Sequence, residues 1–144
     1  MRYTLLLSAL TALCGCQHPP APHVADSASY SISLPAIPLG SGERVSGVTM
    51  TLVGGHISAV NTVPDDWFVE VQPPISGKSL LTMSANHGCS WLRSTDRFDH
   101  FVTVAINDGT HPELSATVTI STAKGDREIT LRHGDIRLEP LSRL

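Results

Sequence analysis

The sequence predicts an all-β domain: an antiparallel β-sandwich of immunoglobulin-like topology with roughly seven to nine strands. Three observations lead there. From Tyr30 onward, apolar and polar residues alternate with period two in one segment after another. Clusters of Gly, Pro, Asn and Asp punctuate those segments at intervals of roughly 8–12 residues. No window places apolar residues at i, i+3, i+4 and i+7 over a helical length. With 144 residues, 41% of them hydrophobic and 16% charged, the chain has material for one packed core.

The elements follow in order. Tyr30-Ser31-Ile32-Ser33-Leu34 alternates and reads as the first strand. Val48, Met50 and Leu52 share one face of the second. Gly54-Gly55 then suggests a tight hairpin, with His56 to Val60 returning beside it. Pro64-Asp65-Asp66 is a turn, because Asp hydrogen-bonds its own backbone there. Trp67, Val69 and Val71 oppose Phe68, Glu70 and Gln72 in the next strand. Pro73-Pro74 is expected to end that strand, since proline cannot donate to a ladder. Leu81, Met83 and Ala85 mark another strand, and Val102, Val104 and Ile106 one more, closed by Asn107-Asp108-Gly109. Leu114, Ala116, Val118 and Ile120 give the cleanest alternation in the chain. Lys124-Gly125-Asp126 turns it into Glu128-Ile129-Thr130-Leu131, and Ile136 and Leu138 extend the sheet at the C-terminal end. The single helical candidate is a short turn around Ser94 to His100.

Upstream of Tyr30 the chain changes character. Arg2 precedes a nearly charge-free apolar run, Tyr3 to Leu13. A helix crossing a hydrocarbon core of about 30 Å needs roughly 20 residues, so this run is too short to span and has the length of a signal-peptide core. It leads into Leu13-Cys14-Gly15-Cys16. This pattern resembles the lipobox of bacterial lipoproteins, with Leu13 three positions before Cys16 and the small Gly15 just before it. Cys14 departs from the pattern, where a small or β-branched residue is commoner. The resemblance covers residues 1–16 only. It implies cleavage before Cys16, diacylglycerol on the Cys16 sulfur and acylation of the new amino group. Gln17 follows, not the Asp of an inner-membrane retention signal, which points to the outer membrane, facing the periplasm. Residues 1–15 are thus read as a cleaved signal peptide. Residues 16–29 (QHPPAPHVADSAS after the cysteine) form a lipid-anchored Pro/Ala-rich tether. Residues 30–144 are read as the β-domain.

Function classes narrow accordingly. The net charge is −3 and no Lys/Arg cluster stands ready to neutralise phosphates, which speaks against nucleic-acid binding. No Gly-x-Ser-x-Gly elbow, P-loop or dinucleotide-binding glycine pattern occurs. The expectation is a non-catalytic module without a cofactor. It is anchored to a membrane through Cys16 and contacts an envelope protein or polysaccharide, with exposed sheet edges offering strand addition. Phe68, Phe98 and Phe101 are candidate exposed aromatic anchors, although core packing is the commoner fate of such residues.

Metal handling is the alternative. His87 and Cys89 are soft ligands one residue apart, and His100 or His56 would supply a third, with Met50 and Met83 as thioethers for Cu(I) or a Zn/Cu site. Gly88 between them and the absence of a compact zinc spacing weigh against it. Asp96-x-x-Asp99 lacks the ligand spacing of a calcium loop. If Cys16 is acylated and Cys14 removed, Cys89 has no intramolecular partner, and the ordinary fate of such a thiol is burial beside Trp91.

Overall fold

The computed structural model describes residues 27–89, 98–107 and 111–142. Nine strands form two antiparallel sheets, the expected β-sandwich. They are β1 (Ser27–Leu34), β2 (Arg44–Val53), β3 (His56–Thr62), β4 (Trp67–Ile75), β5 (Lys78–Cys89), β6 (Phe98–Asn107), β7 (Glu113–Thr122), β8 (Gly125–Leu131) and β9 (Arg137–Pro140). A 3-10 turn, His133–Asp135, precedes β9. One sheet has the order β3-β6-β1-β9, the other β4-β5-β2-β7-β8.

Period-two alternation places the core between the sheets. Val48, Met50 and Leu52 of β2 meet Leu81 and Met83 of β5 and the Leu114–Ile120 series of β7. Ile32 and Leu34 of β1 and Val102, Val104 and Ile106 of β6 supply the opposite wall. Trp67 caps one side, its ring 5.3 Å from Phe101 and perpendicular to it. Phe101 thus takes the core placement that is the commoner fate of such residues, whereas Phe68, on the outer face, is 64% exposed.

Four features differ from the sequence expectations. Gly54-Gly55 does not close a hairpin: β2 pairs with β5 and β7, β3 with β6, so the glycines carry the chain from one sheet to the other. Gly54 has φ +81, and a Cβ there would stand 2.7 Å from the His111 carbonyl oxygen, so backbone passes against backbone. Pro73-Pro74 does not end β4, which runs on to Ile75 with a register shift between Gln72 and Ile75. Adjacent residues aim their backbone nitrogens to opposite sides, so the free edge accommodates one proline and the register shift, where neither pairs with β5, accommodates the other. The strand β1 begins at Ser27, ahead of the Tyr30 boundary. Finally, Phe98 to His100 belong to β6 and not to a helical turn, while residues 94–97 lie outside the described residues.

All four edges are blunted. In β3 the register shifts twice, and the Ile57 N–H donates to the buried Ser79 Oγ at 3.2 Å instead of awaiting a new strand. The outer strand β4 carries Glu70 and two prolines, β8 carries Asp126, Arg127 and Glu128, and β9 has four residues ending in Pro140. Bulges, charges, prolines and shortness are the devices that keep edges from templating further strands. The strand-addition mode of binding therefore has no inviting edge among the described residues.

Candidate functional site

The irregular features gather where β1, β6, β9 and the 3-10 turn meet. Ser31 and Ser33 are both buried, two residues apart on β1. Both serve His100, the third residue of β6. The His100 N–H donates to Ser33 Oγ at 3.0 Å, and Ser31 Oγ lies 2.6 Å from His100 Nδ1. His100 has φ 55, the left-handed region that costs a residue with a Cβ about 1–2 kcal/mol. Two hydrogen bonds over-determine that backbone and hold the strand's start against the neighbouring β1.

A serine hydroxyl at this distance from an imidazole has the geometry of an activated nucleophile. Access decides against that role. Ser31 is 1% exposed, so no substrate carbonyl reaches its Oγ. The pair is a structural clasp.

Two clefts flank the 3-10 turn and β9. The first, about 350 Å³, is lined by Ser33, Leu34, Pro35, Asp99, Gly134, Asp135, Ile136 and Arg137. Asp135 is already engaged, because its Oδ2 accepts the Arg132 N–H at 2.9 Å and caps the turn. The Arg137 Nε stands 3.6 Å from Glu139 Oε1, an exposed pair of little strength.

The second cleft, about 340 Å³, opens where the two sheets part, between β1 and β9 on one side and the start of β7 on the other. Its floor is Tyr30 and Leu138, partly buried and packed on the core, with Pro112 beside them. His111, Glu113 and His133 form its rim. His133 Nδ1 accepts the Leu114 N–H at 3.1 Å. That bond fixes the tautomer: the neutral ring carries its proton on Nε2, which is a donor. A metal-bound histidine donates through its second nitrogen to a carbonyl or carboxylate. Here the second nitrogen accepts instead, so His133 is set up to donate a hydrogen bond and not to ligate.

Electrostatics are concentrated elsewhere, in a clamp that fastens the segment between β1 and β2 onto β8. Arg127 grips Glu43 with two hydrogen bonds, Nη2 to Oε2 at 2.6 Å and Nε to Oε1 at 3.0 Å. Its Nη2 also donates to the Pro38 carbonyl at 2.8 Å. The Gly40 N–H adds a bond of 2.7 Å to Glu43 Oε2. The hydrogen bonds from Arg127, then that from Gly40, pull the Glu43 carboxyl from 4.5 down to about 2. The bonds to Glu43 in turn hold the Arg127 guanidinium above its ordinary value.

The residues singled out from the sequence fare unevenly. Cys16, the expected lipid site, and the side chains of His87, Cys89 and Phe98 lie outside the described residues. The backbone of Cys89 pairs with Val45 in the five-stranded sheet, whereas His100 stands in the four-stranded one with Nδ1 at Ser31. Met50 and Met83 are fully buried core residues, so their thioethers face the packed interior and not an ion. Among the described residues no three His, Cys, Asp or Glu side chains converge closely enough to hold a metal ion. Asp99 lines the first cleft, and Asp96 lies outside the described residues. Sequence reasoning missed the second cleft. Tyr30 read only as the start of a strand, and His133 lay past the last clear alternation. No family model matches the chain, and no curated protein matches it.

Proposed function

We propose that this chain is an envelope lipoprotein, tethered to a membrane through Cys16, whose β-sandwich is a non-catalytic module that binds an envelope protein or polysaccharide. The carrying observation is the order of residues Leu13-Cys14-Gly15-Cys16 behind a short apolar run, followed by a Pro/Ala-rich stretch. The sandwich starts at Ser27, a short tether's length from that cysteine. Two acyl chains or more give stable anchoring, at about 0.8 kcal/mol per buried CH₂. No helix among the described residues is long and apolar enough to cross a membrane, and the acyl chains would take over that role.

Binding is the reading that the domain supports best. In the serine–imidazole contact the Ser31 hydroxyl is buried, and among the described residues two open clefts lie at one corner of the sandwich. With the sheet edges blunted, a partner meets the faces, clefts and loops. The test is fractionation of a Gram-negative host expressing the full chain or Cys16→Ser, combined with in-cell crosslinking. The wild-type chain is expected in the membrane pellet with a reproducible crosslinked partner, and Cys16→Ser in the soluble periplasmic fraction. Equal partition of the two chains would overturn the anchor. A wild-type chain with no crosslinked protein or glycan would overturn the binding role.

A further inference from the structure

We infer that the cleft between Tyr30, Glu113, His133 and Leu138 is a binding site for a neutral saccharide, one or two sugar rings of an envelope glycan. This deepens the binding-module reading and rests on it. At about 340 Å³ the cleft lies at the lower end of the roughly 300–1,000 Å³ range of small-ligand sites. Its floor is apolar, a tyrosine ring and a leucine packed on the core. A pyranose ring has such a face to offer, where its C–H bonds lie against an aromatic side chain.

The rim demands a ligand with both donors and acceptors. Glu113, when ionised, only accepts. The Nε2–H of neutral His133 donates, because Nδ1 is held by the Leu114 N–H. Neither Lys nor Arg lines the cleft. An anion would meet the Glu113 carboxylate uncompensated, and a cation would meet the His133 N–H. A neutral polyol satisfies both ends at once, since every hydroxyl both donates and accepts. The alternative occupant, a peptide strand, needs a free ladder of backbone groups. The neighbouring edge is β9, which has four residues and ends in Pro140.

The experiment is calorimetric titration of the detergent-solubilised full chain with two probes, the β-1,4-linked tetramers of N-acetylglucosamine and of glucose. An oligogalacturonate of equal length serves as the anionic control. At least one neutral tetramer is expected to bind saturably, and the anionic one not. Glu113 is exposed, so Glu113→Ala should fold and weaken binding about tenfold, the loss of one hydrogen bond to a charged group. Tyr30→Leu keeps an apolar floor but removes the flat ring, and should weaken binding several-fold. If Tyr30→Leu does not fold, Glu113→Ala alone decides. No binding of either neutral tetramer, or binding indifferent to Glu113→Ala, would overturn the assignment. A reproducible protein crosslink together with no glycan binding would leave the binding module standing and overturn only its saccharide ligand.

Discussion

Across the five-stranded sheet, Glu70, Thr82, Thr49, Thr117 and Thr130 stand in one row, one residue from each strand, on the outer face. Beneath them Val48, Met50, Leu52, Leu81 and Met83 fill the inner face, interrupted by the buried hydroxyl of Ser79 that holds the Ile57 N–H. The four-stranded sheet is built otherwise. Register shifts interrupt both sheets, but this one buries two hydroxyls, Ser31 and Ser33, on a single strand and holds His100 within a strand with a left-handed backbone. It also ends in the four-residue β9, and both clefts border that strand. The first sheet is what local propensity and alternation specify when they agree. The second departs from those rules where long-range hydrogen bonds compensate, and such departures concentrate where a protein binds or acts.

The contrast can be broken most severely in the regular sheet. Leu81→Ala removes a fully buried side chain between β2 and β4 and should cost about 2–5 kcal/mol in urea unfolding. A loss under 1 kcal/mol would mean that this core is loose enough to collapse into the gap. Between the sheets, Ser79→Ala leaves the Ile57 N–H without its acceptor at a buried site. A cost of about 1–3 kcal/mol is expected, with β3 amides exchanging faster than those of β7. Uniform exchange would show that the hydroxyl does not hold that edge.

The Glu43–Arg127 clamp should show itself through acid. Glu43 titrates at 4.5 when unperturbed and at about 2 in the folded chain. Its contribution is therefore whole above 4.5 and is lost as pH falls toward 2, when the folded carboxylate takes up its proton. Between those values the melting temperature of the wild-type chain should fall more steeply than that of Glu43→Gln. Parallel slopes would mean that the clamp carries no linkage. The smallest effect belongs to the outer face of the regular sheet. Thr49→Val there should change stability by no more than about 0.5 kcal/mol, since the side chain stands on the outer face and Val is as well suited to a strand. A larger loss would give the threonine row a structural role that the present reading denies it.

Strands of both sheets were legible in the sequence, Tyr30 to Leu34 and Val102 to Ile106 in the four-stranded one. The strands of the five-stranded sheet could be read from Val48-Met50-Leu52 and Leu114 to Ile120, because a face buried on one side leaves a period-two trace. Turn chemistry also read true at Pro64-Asp65-Asp66, where Asp66 takes φ 67. Gly54-Gly55 misled, because a turn residue reports a reversal or a close approach and not which sheet receives the chain. Pro73-Pro74 misled because the edge position of β4 is a property of the whole sheet. The clefts were invisible. His133 meets Leu114 and Arg127 meets Glu43 across 19 and 84 residues, and no local pattern encodes such partners.

Intact mass is the first measurement to make on the proposed lipid anchor at Cys16. The full chain would be extracted with detergent from a host that processes lipoproteins and weighed. The expected mass equals residues 16–144 plus a diacylglyceryl group and an amide-linked acyl chain. A mass equal to an unmodified chain, cut or uncut, would contradict the anchor, and with it the tether and the envelope setting on which the cleft's saccharide rests.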